Sequence, residues 1–132
     1  MLSNIYKHTF NCGNIRYSAG NHWLGQIGRY KGFCKFDSEV YGLRALVVLV
    51  RNYIRSGCDT VERIISRYAP NTENDLKSYM SFIFMKSGLR PDDKIVYKSH
   101  SFYCLLYCIS YFETGYVFTE FDLENIYICF GL

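Results

Sequence analysis

The first 36 residues contain no acidic residue, and the last 34 contain no lysine or arginine. The leading arm carries Lys7, Arg16, Arg29, Lys31 and Lys35, whereas the tail carries Glu113, Glu120, Asp122 and Glu124. Two readings follow from this asymmetry. Either the two ends lie together and neutralise each other, or a basic arm meets an anionic polymer such as nucleic acid or cell-wall glycan peptides. The first is favoured, and with the acidic tail masking the arm, nucleic acid is not an expected partner. Long apolar runs are also missing. ALVVLV and FYCLLYCI fall far short of the ~20 residues that a membrane helix needs. MLSNIYKHTF has no apolar stretch of the kind a secretory signal carries, so a cytoplasm is the expected place of synthesis. The six cysteines form no C-x-x-C pair, which leaves no metal-type spacing and favours reduced thiols. There is no Walker loop, no G-x-S-x-G and no H-E-x-x-H, and no cofactor or metal is expected. His8, His22 and His100 read as surface or capping side chains.

What is present is apolar and aromatic. Of 132 residues 49% are hydrophobic, enough for one domain with a real core and too much for a disordered chain. Thirteen tyrosines and ten phenylalanines stand against one tryptophan. Tyrosine has an apolar body and a polar tip, so these rings either edge a small core or line a groove or interface.

The stretch 37–57, DSEVYGLRALVVLVRNYIRSG, organises the rest. From Val40 to Ile54 it is nearly all apolar, and Arg44, Arg51 and Arg55 fall on one narrow helical stripe. This predicts a central helix, capped at Asp37 or Ser38 and ended by Gly57. Residues 1–36 hold five of the ten glycines and lack helical periodicity. They read as a basic, irregular segment with short strands expected at Asn14–Tyr17 and Phe33–Phe36. Shorter helices are expected after Asp59, with Glu62 in capping register, and after Asn71 or Thr72. Others are expected after Ser99 or Ser101, and after Thr119 paired with Asp122. Pro91 is placed to begin a short helix of its own. The expected fold is therefore mainly α: a compact single domain, 1–132, of about five helices around a central hydrophobic helix.

Two carboxylates stand out as candidate acids. Glu113 ends an aromatic helix, ISYFETG, where the partial negative charge of the helix C-terminus makes a carboxylate locally misplaced. Held against aromatics, such a group has a raised pKa and can donate a proton near neutral pH, as glycoside cleavage requires. The competing reading pairs Glu113 with an arginine of the central helix. Glu73, in RYAPNTEND, is the reserve, and its simpler reading is a carboxylate at a helix start.

Taken in order, the motifs resemble a known family. They are Gly13-Asn14-Ile15-Arg16, Trp23 with Gly25, Phe33 with Phe36, Tyr41-Gly42-Leu43-Arg44-Ala45, Tyr53, Thr60 with Ile64-Ile65, the run from Arg67 to Asn74, and Tyr79. The set is similar to a family of small phage and prophage virion or structural proteins with the pattern N-P-G-N-I-R, W-x-G, F-x-x-F, Y-G-x-R-A, T-x-x-x-I-I-x-R-W-A-P-x-x-E-N-D-T and Y. A later E-x-G fits Glu113-Thr114-Gly115. Cys12, Tyr68 and Leu76 stand where the family has proline, tryptophan and threonine. Some members look like peptidoglycan-degrading virion enzymes. The resemblance thus implies a phage-derived protein, with a lysozyme-like arrangement and Glu113 as the acid. Asn14, Arg16, Trp23, Tyr41 and Arg44 would bind glycan. The alternative it implies is a non-catalytic virion protein holding a virion or host protein.

Overall fold

A computed structural model describes the chain except for Pro70, Asn71 and the side chains of Glu73 and Asn74. Among the described residues there are six helices and one antiparallel hairpin: α1 (Asn4–Thr9), β1 (Gln26–Tyr30), β2 (Phe33–Phe36), α2 (Glu39–Arg55), α3 (Val61–Tyr68), α4 (Glu73–Ser87), α5 (His100–Thr114) and α6 (Glu120–Phe130). The mainly helical fold expected from the sequence is what the structure has.

Helix α2 is apolar nearly all round because it serves two cores. Leu43, Leu46, Val47 and Val50 face a large cluster built with Ile64, Ile65, Ile83, Phe102, Leu105, Leu106 and Ile109. On its opposite side Ala45 and Val48 close a smaller cluster with Ile15, Trp23, Cys34 and Phe36. Each fully buried Leu, Ile or Val contributes roughly 1.5–3 kcal/mol through area removed from water. The glycine-rich leader is therefore the second core's other half. Gly42 makes the close approach possible: a Cβ there would run into the Phe10 carbonyl.

The leader departs from its expected shape in three ways. Residues 4–9 form a short helix, α1, where no helical periodicity was visible. Ser3 caps it by accepting from Tyr6 N at 3.1 Å, and Tyr6 stacks on Tyr116 at 5.0 Å. Tertiary burial of Tyr6 and Thr9, rather than propensity, holds these six residues. The second departure is β1, at 26–30. Its turn to β2 uses Lys31 and Gly32, both at positive φ, the geometry that matches the twist of a hairpin. Third, the strand expected at Asn14–Tyr17 is reduced to a bridge between Arg16 and Phe33, because Asn14 itself sits at φ 51 and breaks the extended run. The strand expected at Phe33–Phe36 is β2.

Elsewhere the caps follow the sequence with two differences, the first being that Ser38 stands at the start of α2 without a side-chain cap hydrogen bond. Thr72, Ser99 and Thr119 each accept from a backbone N–H in the first turn, and Thr119 with Asp122 completes a capping box. The cap of α3 is Thr60, not Asp59. Asp59 instead pairs with Lys94 at 3.5 Å. Pro91 starts no helix. The carbonyls of Pro91 and Asp93 accept from Glu62 N and Val61 N, so this loop satisfies free donors at the α3 N-terminus.

Candidate functional site around Glu113

Glu113 lies in the last turn of α5, half-buried, where the leader and α4 converge on it. Tyr79 of α4 donates its hydroxyl to Oε2 at 3.0 Å. The Asn14 side-chain amide donates to the Glu113 carbonyl at 3.0 Å and to Oε1 at 3.4 Å. Two acceptors on one side fix the amide orientation, and Asn14 Oδ1 is left buried without a partner. Phe112 stacks on Tyr79 at 4.0 Å, which fixes the ring that carries the donor.

The electrostatics follow from this geometry. Burial raises the Glu113 pKa above its ordinary value; the hydrogen bonds from Tyr79 and Asn14 and the charge of Arg16 pull it part of the way back. The arginine pairing with the central helix does not occur. Arg44 lies over the Phe130 ring, Arg51 reaches Asn52, and Arg55 lies over Tyr97. A helix-end carboxylate with no salt-bridge partner among the described residues is thus held by two uncharged donors.

The surrounding residues lock the leader to this end of α5. Ser3 N donates to Thr114 O at 2.8 Å, and Thr114 Oγ1 donates to Cys12 O at 2.8 Å. Tyr68 donates its hydroxyl to the Gly13 carbonyl, in a seat where a Cβ on Gly13 would clash with the ring oxygen. Asn11, fully buried, donates to Ile15 O and Cys34 O and accepts from Ile15 N, which pins the loop to β2.

Of the residues implied as glycan-binding, Asn14 touches Glu113, and Arg16 is near enough to act on its charge while its guanidinium lies over Phe33 at 4.8 Å. The other three lie elsewhere. Trp23 is 8% exposed and belongs to the smaller core. Tyr41 packs on Gly25 and tilts against Phe130 at 5.9 Å, and Arg44 covers the same Phe130 ring. Glu73 begins α4, and its side chain lies outside the described residues.

The basic leader does not form ion pairs with the acidic tail among the described residues. The two salt bridges are Lys94 with Asp59 and His100 with Glu120. Arg16, Arg29 and Lys31 lie instead over Phe33, Tyr17 and Tyr30. His100 is a surface side chain, as expected, but it has partners on both ring nitrogens. Its Nδ1 is 2.9 Å from Glu120 Oε1, and its Nε2 is 3.4 Å from Cys104 Sγ. The spacing of four between His100 and Cys104 was the signal for this cluster; Glu120, on another helix, had none. All six cysteines are free. No described helix is long and apolar enough to cross a membrane.

Comparison with known proteins finds no family model that matches the chain. Among curated proteins, Protein P5 of Pseudoalteromonas phage PM2 is 36% identical over 80 residues, which cover 58% of this chain and 50% of that protein. The chain therefore spans about half the length of the curated relative it matches, and what it resembles is a phage protein.

Proposed function

We propose that this phage-related protein acts on the glycan of bacterial peptidoglycan, with Glu113 as the general acid that protonates the glycosidic oxygen. The observation that carries the reading is the state of Glu113: half-buried, raised in pKa, and hydrogen-bonded by neutral donors rather than paired with a cation. A carboxylic acid in such a setting keeps its proton to higher pH and can deliver it to a leaving oxygen. The reading takes the single-acid chemistry of a lytic transglycosylase, with the charge of Arg16 acting on Glu113. The same carboxyl gives its proton to the leaving oxygen and takes one back from the attacking sugar hydroxyl. In this reading Asn14 and Arg16 position the sugar and Tyr79 orients the acid. Purified sacculi treated with the chain should release muropeptides. Glu113→Gln should abolish release while thermal melts show a folded protein. Undiminished release by the folded variant would end the reading.

A second reading rests on a different aspect of the same contacts. Both Glu113 oxygens are occupied, and the residue joins the leader, α4 and α5. In that reading Glu113 is a clamp in a non-catalytic virion component, which holds other virion proteins through exposed side chains such as Phe84, Met85, Phe121 and Ile128. It predicts no muropeptide release from the parent chain, a loss of stability in Glu113→Gln, and co-purification with virions.

A further inference from the structure

At the other end of α5, Cys104, His100 and Glu120 form a hydrogen-bonded chain. We propose that it is a nucleophilic cysteine site that accepts acyl groups from activated esters or thioesters, with Cys104 as nucleophile, His100 as general base and Glu120 as the residue that orients the imidazole. Three observations carry it. Cys104 Sγ and His100 Nε2 are 3.4 Å apart, within reach for a sulfur hydrogen bond. Glu120 Oε1, 2.9 Å from Nδ1, accepts a hydrogen bond from Nδ1–H, the arrangement that leaves Nε2 as the acceptor facing the thiol. The chain opens on a cavity of about 370 Å³, lined by Lys86, Tyr103, Cys104, Tyr107 and Cys108 besides His100. A chance surface pair of histidine and glutamate would not need a thiol on the second nitrogen or a cavity beside it.

The order of proton movement follows from the surroundings of the sulfur. Burial, and after it the charge of Glu120, push the Cys104 thiol up, so it rests protonated. The imidazole must then take the proton as the sulfur attacks. The Sγ–C bond forms at the acyl carbonyl and the S–H proton passes to His100 Nε2. The C–O or C–S bond to the leaving group breaks, and Nε2 returns the proton to that leaving oxygen or sulfur. Water then attacks the thioester with Nε2 as base, and Cys104 leaves with a proton restored. Lys86, lining the same cavity, is the cation available to the oxyanion. None of these steps involves Glu113, and the site stands or falls apart from the peptidoglycan reading.

The test uses the full chain and p-nitrophenyl acetate, with acetylated peptides located by mass spectrometry. Cys104 should be acetylated before the exposed Cys129 and the half-buried Cys58, and p-nitrophenolate should appear in a burst of one equivalent. His100→Ala should slow the burst by about tenfold or more, and added imidazole should restore part of it. Glu120→Gln, which keeps an acceptor for Nδ1, should retain more of the rate than Glu120→Ala, with melting unchanged in both. Acetylation that follows exposure, Cys129 first, would overturn the proposal. So would equal burst rates in the parent chain and a folded His100→Ala variant.

Discussion

Two glutamates meet the two ends of α5 and are treated in opposite ways: Glu113 belongs to its last turn, and Glu120, the first residue of α6, reaches His100 in its first turn. At the N-terminal end Ser99 caps the helix, and Glu120 meets His100 in water, with side chains 44% and 72% exposed. At the C-terminal end the leader comes down on the helix, and Glu113 is enclosed between an amide and a hydroxyl. An exposed pair in high dielectric is worth little, because water competes for both partners and salt screens them. A half-buried carboxylate with neutral donors has lost part of its water and keeps a proton more readily. The contrast teaches that the chemistry of these acids is set by what covers them, and at Glu113 the cover is the glycine-rich leader.

The strongest way to break the comparison is to lift that cover. Gly115 sits at φ 80, and a Cβ there would meet the Met1 carbonyl. Gly115→Ala should cost roughly 2–4 kcal/mol in urea unfolding, from backbone strain and the clash together. Tyr79→Phe removes one donor from the carboxylate. It should cost about 1–2 kcal/mol and raise the Glu113 pKa further, since that hydrogen bond lowers it. Ser99→Ala removes only a cap at the opposite end and should cost about 1 kcal/mol. His100→Ala breaks the exposed pair and should change stability by less than about 1 kcal/mol.

A pH series sharpens the same contrast. The folded-state pKa of Glu113 lies above its ordinary value of 4.5, so the folded protein binds this proton more tightly than the unfolded chain. Its contribution to stability is fully present below about pH 4.5 and is lost as pH rises through the folded pKa. Stability of the parent chain should therefore decline in that window relative to Glu113→Gln, measured by urea unfolding at each pH.

Much of the helical frame was legible from periodicity and caps. The buried stripe of Val61, Ile64 and Ile65, the Thr119 and Asp122 pair, and the central helix all announce themselves within a few residues of sequence. The apolar circumference of α2 was visible too, but not its cause, because the second core is assembled from residues 15–36, whose turns carry no period. Helix α1 was hidden for a related reason: six residues held by Tyr6 in a distant core have no local signature. Glu113 could be singled out by the mismatch between a carboxylate and a helix C-terminus. Its partners could not, because Tyr79 and Asn14 are 34 and 99 positions away in the chain. The family pattern did bring Asn14, Tyr68 and Tyr79 to notice, and these fall around Glu113 or the loop beside it. It gave equal prominence to Trp23, Tyr41 and Arg44, which serve the smaller core and the Phe130 contact.

The state of the Glu113 carboxyl is what the catalytic reading depends on, and it can be observed directly. Carbon-13 NMR of the carboxyl carbons, with Glu113→Gln to assign the resonance, follows its titration in the folded protein. The account predicts a midpoint above that of the chain's exposed glutamates, moving higher still in Tyr79→Phe. A midpoint at or below theirs would mean that the site holds an ordinary carboxylate anion, and the general-acid assignment would be wrong.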